Sequence, residues 1–455
     1  MKTLIIHRWG LIGLWFFMTL SAGILVPASA ATDMKALPVT LGQSVVTLNG
    51  PWRFHTGDVS AWADPAFDDS GWESMDLTAP PGAHDPDVGL SGYVPGWSAR
   101  GHAGYKGYAW YRLHISVTAP VGCALALTGP AMVDDAYQVF LDGKLLGGIG
   151  DFSGPTPAVH ATQPRMFPLS LASPQSDHVL AFRVWMGVGG RIAPDAEAGG
   201  LHMAPILGES DSIEARYRVQ WQQTFLGYFH EVVEALLLLL TAVMACCLIP
   251  FDRSNRSAYL WLSAAMVLLA LQRGNLAFAY WAPYESIHEF ELSSYTLFSP
   301  LSLGAWILGW YSWFRLRDPA WLPKAVALLT LLFVIARLLS TSLFYGVFPN
   351  AVTAALPYLI TCIRLLFLLL LVLIVYKGIR EQRREAWFVM PAVLAVSIGL
   401  FSAELSLLHM PGMWFPFGVG FSRTDFVYLV FGPLMSAALL RRLWSYAHPA
   451  VPRTG

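Results

Sequence analysis

Between residues 226 and 443 the chain is dominated by long apolar runs, whereas residues 31–220 interleave short apolar stretches with Gly, Pro, Asp and Trp. A membrane-crossing helix needs about 20 mostly apolar residues. Runs of that kind fall at 227–249, 258–281, 293–314, 322–344, 353–376, 387–408 and 425–443. Ser, Pro and Gly interrupt the third, sixth and seventh, which membrane helices tolerate. The pattern predicts an all-α bundle of seven transmembrane helices over 227–443.

Upstream, the period changes. Tyr108–Val117, Ala124–Leu127, Tyr137–Leu141 and Val179–Trp185 alternate in the strand manner. Asp142-Gly143 separates two apolar pieces and predicts a tight hairpin turn. No long helical period precedes residue 209, so 31–208 is expected to be a β-sandwich. Residues 209–226 are polar and helical in pattern, a linker helix into the first span. At the N-terminus, Lys2, His7 and Arg8 precede an apolar stretch from Leu11 to Val26, then Ala28-Ser29-Ala30. That order predicts a signal peptide over 1–30, with an uncleaved signal anchor as the alternative; both send residue 31 onward across the membrane.

Composition agrees. Hydrophobic residues make up 55% of the chain and charged residues only 13%, against roughly 25% charged in soluble domains. A net charge of −1 argues against nucleic acid, whose phosphates call for a basic surface. One set of loops carries Arg253 and Arg256; Arg315, Arg317 and Lys324; Lys377, Arg380, Arg383 and Arg384; and Arg441 and Arg442. The opposite set carries only Arg423, and its first member holds Glu285, Glu289 and Glu291. The positive-inside rule makes the first set cytoplasmic, with 444–455 a cytoplasmic tail. Cys123 is the only cysteine of the exported half, so no disulfide is expected within it.

Six ionisable residues fall inside the apolar runs: Glu231, Glu234, Arg273, Arg337, Arg364 and Glu404. At ~1.5 Å per residue most lie ~7–16 Å in from the outer surface. Charges at that depth are costly and usually pair inside the bundle. Glu231 or Glu234 is expected to pair with Arg273, and Glu404 with Arg337. The charges either knit the bundle together or line an outward-facing polar cavity, or a switch between two helix packings.

In the exported half, Asp68-Asp69-Ser70-Gly71-Trp72 reads as a structural turn capped by an indole. Tyr93, Trp97, Arg100, His102 and Tyr105 combine aromatic rings with polar groups, a combination that suits a sugar or another polar ring. Trp110 and Arg112 read as strand residues. Gly147-Gly148-Ile149-Gly150 reads as a loop. No HExxH, GxSxG or Walker-type motif occurs, and the histidines lack metal-ligand spacing. No enzyme activity, metal or cofactor is expected.

Four segments carry a family resemblance: NGPWRFHTGD (Asn49–Asp58), WADPAFDDSGWESMDL (Trp62–Leu77), YAWYRLHISV (Tyr108–Val117) and DDAYQVFLDGKLLG (Asp134–Gly147). Together they resemble the galactose-binding-like jelly roll, the N-terminal sugar-binding sandwich of β-galactosidase- and β-glucuronidase-type glycoside hydrolases. The same sandwich ahead of seven spans resembles the bacterial seven-transmembrane receptors with diverse intracellular signalling modules, over nearly all of 45–445. The resemblance implies an inner-membrane receptor in contact with the bilayer. It would sense a small extracytoplasmic ligand, such as a carbohydrate, or an exported protein. The family usually carries a kinase, cyclic-dinucleotide synthase or phosphatase after the last span. Residues 444–455 have no room for one, so a separate cytoplasmic signalling protein is the expected partner. The rival readings are a transporter or channel, a membrane enzyme using Glu404, His409 or Asp425, and a remnant of a receptor kinase or cyclase.

Overall fold

A computed structural model describes residues 45–83, 92–118, 122–170, 175–187, 197–282, 284, 286–344, 347–407 and 426–447. The signal segment, Arg423, His409, Asp425 and residues 448–455 lie outside the described residues.

The first part is built from strands: β1 (Val45–Thr47), β2 (Trp52–Thr56), β3 (Glu73–Met75), β4 (Gly107–Thr118), β5 (Leu125–Thr128), β6 (Val133–Asp134), β7 (Ala136–Leu141), β8 (Lys144–Ile149), β9 (Met166–Leu169), β10 (Gln175–Met186), β11 (Gly200–Leu201) and β12 (Ile206–Glu209). They form a six-stranded sheet in the order β3-β2-β4-β10-β7-β8, a four-stranded sheet β1-β12-β5-β9 and a small β11-β6 pair. All described pairings are antiparallel. Strand alternation decides which side chains meet. Phe54, Tyr111, Phe182 and Val139 stand opposite one another across β2, β4, β10 and β7. This row shares one buried cluster with Leu127 and Phe167 of the smaller sheet. The next residue along β4 points the other way, so Trp110 packs with Trp62 and Trp72 in a second core under the 60–75 loop.

The Asp142-Gly143 turn is as expected: Leu141 pairs with Lys144, and both turn residues have positive φ, 49° and 79°. That is the geometry of a two-residue hairpin loop. The neighbouring glycines depart from expectation. Gly147 and Gly148 belong to strand β8, not to a loop. A Cβ on Gly148 would lie 2.0 Å from the Tyr137 carbonyl oxygen, so glycine here permits close strand approach beside a bulge.

The second part is mostly helical: α1 (Ser210–Leu248), α2 (Arg256–Trp281), α3 (Ser299–Trp313), α4 (Leu322–Leu339), α5 (Asn350–Glu381), α6 (Arg383–Leu400) and α7 (Val427–Ala447). Helix α3 is entered through one helical turn, Ile287–Phe290, and a π-helix, Glu291–Phe298. A short helix, Ser402–Leu407, follows α6. Among the described residues, five helices are long and apolar enough to cross a membrane: α1, α2, α4, α5 and α7. The expected third run breaks into α and π pieces, and the expected sixth is interrupted at Phe401.

Helix α2 packs between α1 and α3, α3 also contacts α4 and α5, and α7 closes against α1 and α6. They share one cluster of buried apolar side chains, with a few buried polar residues such as Glu231, Glu234, Ser263 and Ser302 among them. The outward faces are apolar too: Leu236, Leu240, Val243, Leu328, Leu331, Leu369 and Val372 are all exposed. The predicted linker helix is not a separate element. Its polar residues form the first turns of α1, which runs unbroken for 39 residues, about 58 Å at ~1.5 Å per residue. The change from polar to apolar composition at residue 226 is not a helix end.

Candidate functional site

Glu231 and Glu234 lie three residues apart on α1, a spacing that puts both carboxylates on one helix face. Both are fully buried. Both meet the same guanidinium. Arg273 Nε of α2 is 2.5 Å from Glu231 Oε2 and 2.9 Å from Glu234 Oε2, and its guanidinium lies 5.1 Å from the Tyr428 ring of α7. His230 Nε2 is 3.4 Å from Glu231 Oε1. The first expected pairing therefore includes both glutamates.

The second expected pairing is corrected. Glu404 pairs with Arg364 of α5, not with Arg337. Arg364 Nη2 donates to Glu404 Oε2 at 2.8 Å, Nε donates to Glu404 Oε1, and Nη2 also donates to the Leu400 carbonyl at 2.7 Å. Two facts explain the choice. Helix α5 packs beside α6, and α6 ends at Leu400, so one guanidinium serves both the open carbonyl and the carboxylate just beyond it. Planar, two-point contact is what guanidinium and carboxylate favour. Arg337 of α4 instead lies over the Tyr295 and Phe333 rings, 5.7 and 5.6 Å from their centroids. Its Nε is buried without a hydrogen-bond partner among the described residues.

The sheets reach these charges by two routes. Strand β12 passes directly into α1, where the Ser210 N–H donates to the Ala124 carbonyl at 2.8 Å. The β8–β9 loop sits on the helix ends. The Ile287 N–H donates to the Val159 carbonyl at 2.7 Å, and the buried Gln163 donates from Nε2 to the Tyr280 carbonyl at 3.1 Å. The helical turn at the dock is fixed by a capping box between Ser286 and Glu289. A cavity of about 100 Å³ lies at this junction, lined by Ala161 from the loop and by Leu276, Ala279, Tyr280, Ser286, Ile287, Phe290, Glu291 and Tyr295. Glu291 and Tyr295 come from the π-helix, a distortion that often marks functional positions. The Asn275 side-chain amide, donating to Ser293 Oγ and Ser294 Oγ at 3.0 Å each, ties α2 to the π-helix.

A second polar cluster sits at the opposite end of the helices. Asp252 accepts from Asn255 Nδ2 at 2.6 Å, Ser254 Oγ at 2.7 Å and Tyr259 Oη at 2.7 Å. Arg315 Nε donates to Asn255 Oδ1 at 2.7 Å. Arg442 lies 3.4 Å from the Trp313 ring and pairs with Glu385. Burial works to raise the Asp252 pKa, but the bonds from Asn255, Tyr259, Ser254 and Tyr446 outweigh it and hold the carboxyl at about 2. The cluster joins the α1–α2 turn, the end of α3, the start of α6 and the end of α7. Sequence reading counted its arginines only as loop charge. The dock was missed as well, although the Ser-x-x-Glu spacing at 286–289 carried the signal of its capped turn.

The five ligand candidates of the sheet region do not form a groove. Trp97 is fully buried in the sandwich core, its Nε1 directed at the Tyr105 carbonyl at 3.3 Å. Tyr93 is buried and stacks on His202 at 5.1 Å. Neither ring has a face open to a sugar. Tyr105 bonds the Tyr108 carbonyl through its hydroxyl at 2.6 Å. Arg100 donates to the Pro95 and Asp76 carbonyls, and His102 lies 2.9 Å from Glu73. Arg112 is fully buried, and its guanidinium donates to Asp69 Oδ2 at 2.7 Å and to the Trp62, Asp64 and Phe67 carbonyls. It anchors the Trp-rich loop. Among the described residues there is no group of three His, Cys, Asp or Glu placed to hold a metal.

No protein-family model matches the chain, and no curated protein matches it. Among solved structures it is similar to a Bacteroides uniformis β-glucuronidase, 23% identical over 36% of this chain and 18% of that one, with a TM-score of 0.26. A glycosyl hydrolase family 2 member from Bacteroides cellulosilyticus is 18% identical over 36% and 20%, with a TM-score of 0.27. A Ruminococcus gnavus β-glucuronidase is 12% identical over 38% and 30%, with a TM-score of 0.26. The chain spans less than a third of the length of each of these structures.

Proposed function

We propose that this chain is a membrane-embedded sensor. Its sandwich lies outside the cytoplasmic membrane, its helices span the membrane, and it signals to a separate cytoplasmic protein. The observation that carries the reading is the double attachment of the sheets. Strand β12 continues into α1 without a linker, and the β8–β9 loop is hydrogen-bonded to the helix ends at Ile287 and Tyr280. A shift in the sandwich is passed to α1 and to the π-helix, the elements that hold Glu231, Glu234 and Tyr295.

Three further points support it. The outward helix faces are apolar, which suits lipid and not water. Arginines gather at one end of the helices, including Arg253, Arg256, Arg315, Arg441 and Arg442, the end that faces the cytoplasm by the positive-inside rule. The four segments quoted above resemble the sugar-binding sandwich of the hydrolases, and a sandwich ahead of seven spans resembles the layout of the bacterial receptors, so a carbohydrate is one candidate ligand. In this reading the interrupted runs at 287–313 and 383–407 also cross the membrane, giving seven spans. Two packings of the bundle must differ in ligand affinity, because a ligand that binds both equally shifts nothing.

Orientation is tested with a reporter active only in the cytoplasm. Fused after Gly455 it works, and fused after Ser210 it does not. The reverse pattern removes the sensor as described.

A further inference from the structure

We infer that the groove at the start of α2 is a binding site for one anionic phospholipid, with its phosphate on Arg253 and Arg256 and its acyl chains on Leu260 and Trp261. Lipid contact rests on the reading above that the helices stand in a membrane. The groove is open and measures about 650 Å³. Its polar and apolar residues are sorted along the helix. Arg253, Ser254, Arg256 and Ser257 line one end, and Leu260, Trp261 and Ala264 line the other. From Arg256 to Ala264 the face runs about 12 Å at ~1.5 Å per residue. A phospholipid has the same order, with charge at the membrane surface and hydrocarbon beneath. Basic sites beside membrane helices recognise anionic headgroups. A free phosphate would use only the basic end and leave Leu260 and Trp261, 45% and 41% exposed, uncovered.

The basic end is set up for an anion. Arg253 and Arg256 are exposed, and neither guanidinium has a partner among the described residues. The neighbouring carboxylate, Asp252, is buried and already accepts from Asn255, Ser254 and Tyr259. The N-terminus of a long helix favours negative charge. Helix α2 runs for 26 residues, with no acidic residue in its first turn and no side chain capping it. The cap position is Asn255, whose amide is engaged by Asp252 and Arg315 instead. Ser257 Oγ lies 3.3 Å from Ser312 Oγ of α3. With Ser312 as the donor, the Ser257 proton is left for a phosphate oxygen.

Position gives the site a consequence, and this part rests on the sensor reading. Ser257 joins the groove to α3, and Ser254, which lines it, donates to Asp252 at 2.7 Å. A lipid phosphate here bears on the polar cluster that ties the helix ends together. By linkage, a signal that shifts this cluster changes lipid affinity, and the lipid changes the response to the signal by the same factor.

The test is native mass spectrometry of the purified full chain, released from detergent with equal amounts of dioleoyl phosphatidylglycerol and dioleoyl phosphatidylcholine. Preferential retention of phosphatidylglycerol is expected. Arg253→Gln with Arg256→Gln should lower that retention about tenfold or more. Arg380→Gln with Arg441→Gln removes the same charge from two other exposed arginines of the same loop set and should leave retention nearly unchanged. Equal retention of the two lipids by the wild-type chain overturns the inference without need of any variant. So does an equal loss in the two double variants, which would make the attraction a property of the whole basic face. Displacement of the lipid by a large excess of sodium phosphate would assign the groove to a free anion and also overturn it. Retention is read directly on the protein, so a failed lipid site leaves the sensor reading standing. A reversed reporter pattern leaves the lipid result intact and moves the groove to the opposite leaflet.

Discussion

Arg364 and Glu404, forty residues apart in the chain, meet as a two-point ion pair in which the arginine also holds the last carbonyl of α6, at Leu400. One side chain thereby joins α5 to the break after α6. Removing one member of a buried pair strands the other, at a cost of ~3–5 kcal/mol. Arg364→Met and Glu404→Leu should each lower the thermal stability of the purified protein by about that amount. The double variant should recover much of the loss. Arg337→Met combined with Glu404→Leu should show simple additivity, because those residues do not form the pair. Thermal unfolding of the three single and two double variants provides the check.

Arg273 answers to two carboxylates. Arg273→Met therefore leaves two buried charges facing each other, and neither Glu231→Leu nor Glu234→Leu alone should restore stability. The triple variant should, since apolar residues of similar volume replace buried ion groups without loss. Full rescue by one glutamate substitution would show that a single pair carries the interaction.

In the sandwich, Trp97 fills the core beneath Phe54, their ring centroids 6.0 Å apart. Trp97→Ala should cost about 3–5 kcal/mol, as large-to-small changes at buried aromatics do. The expected signature is loss of cooperative unfolding of the sheets. A variant with unchanged stability and only a weakened ligand response would return Trp97 to the role of a binding residue.

Asp69 ties acid sensitivity to the Trp-rich loop. Burial works to raise its pKa, but hydrogen bonds and charge from Arg112 and His114 outweigh that and hold it below 3.8. The folded state thus binds this proton less readily than the unfolded state. The carboxylate contributes stability that is present above 3.8 and is lost as pH falls through the lower folded value. Tryptophan fluorescence from Trp62, Trp72 and Trp110 should report loosening in that window. Asp69→Asn should be less stable at neutral pH and lack this acid step. Equal acid steps in both proteins would remove Asp69 from the account.

Much of this was legible in the sequence, because some constraints are local. Period-two alternation marked β4, β7 and β10, and Asp142-Gly143 could serve only a tight turn. Glu231 and Glu234 shared a helix face and a depth with Arg273. Other features depend on which elements become neighbours, and a linear pattern does not encode that. Arg337 and Arg364 both fall inside apolar runs, so the linear pattern alone could not assign Glu404 to either. The break at Phe401 and the π-helix at 291–298 have no counterpart in the apolar pattern of the sequence. Tyr93 and Trp97 have the composition of a sugar site, but burial used their ring faces. Residues 209–226 looked like a linker because polarity was taken as a boundary, whereas α1 runs through that change of composition without a break.

The central claim is that the sandwich and the far polar cluster are linked through the helices, and one substitution isolates it. Ile287 occupies the first helical position after Ser286, where proline is tolerated. Ser286, at φ −74° and ψ 159°, already has the extended backbone that precedes proline. Ile287→Pro therefore deletes the N–H that bonds the Val159 carbonyl and leaves the local fold in place. Hydrogen exchange on the full chain in detergent should then quicken at residues 287–298 and also at 250–256 and 440–446, around Asp252 and Arg442. Exchange that changes only beside Ile287, with the Asp252 and Arg442 segments as in the wild-type protein, would contradict the account.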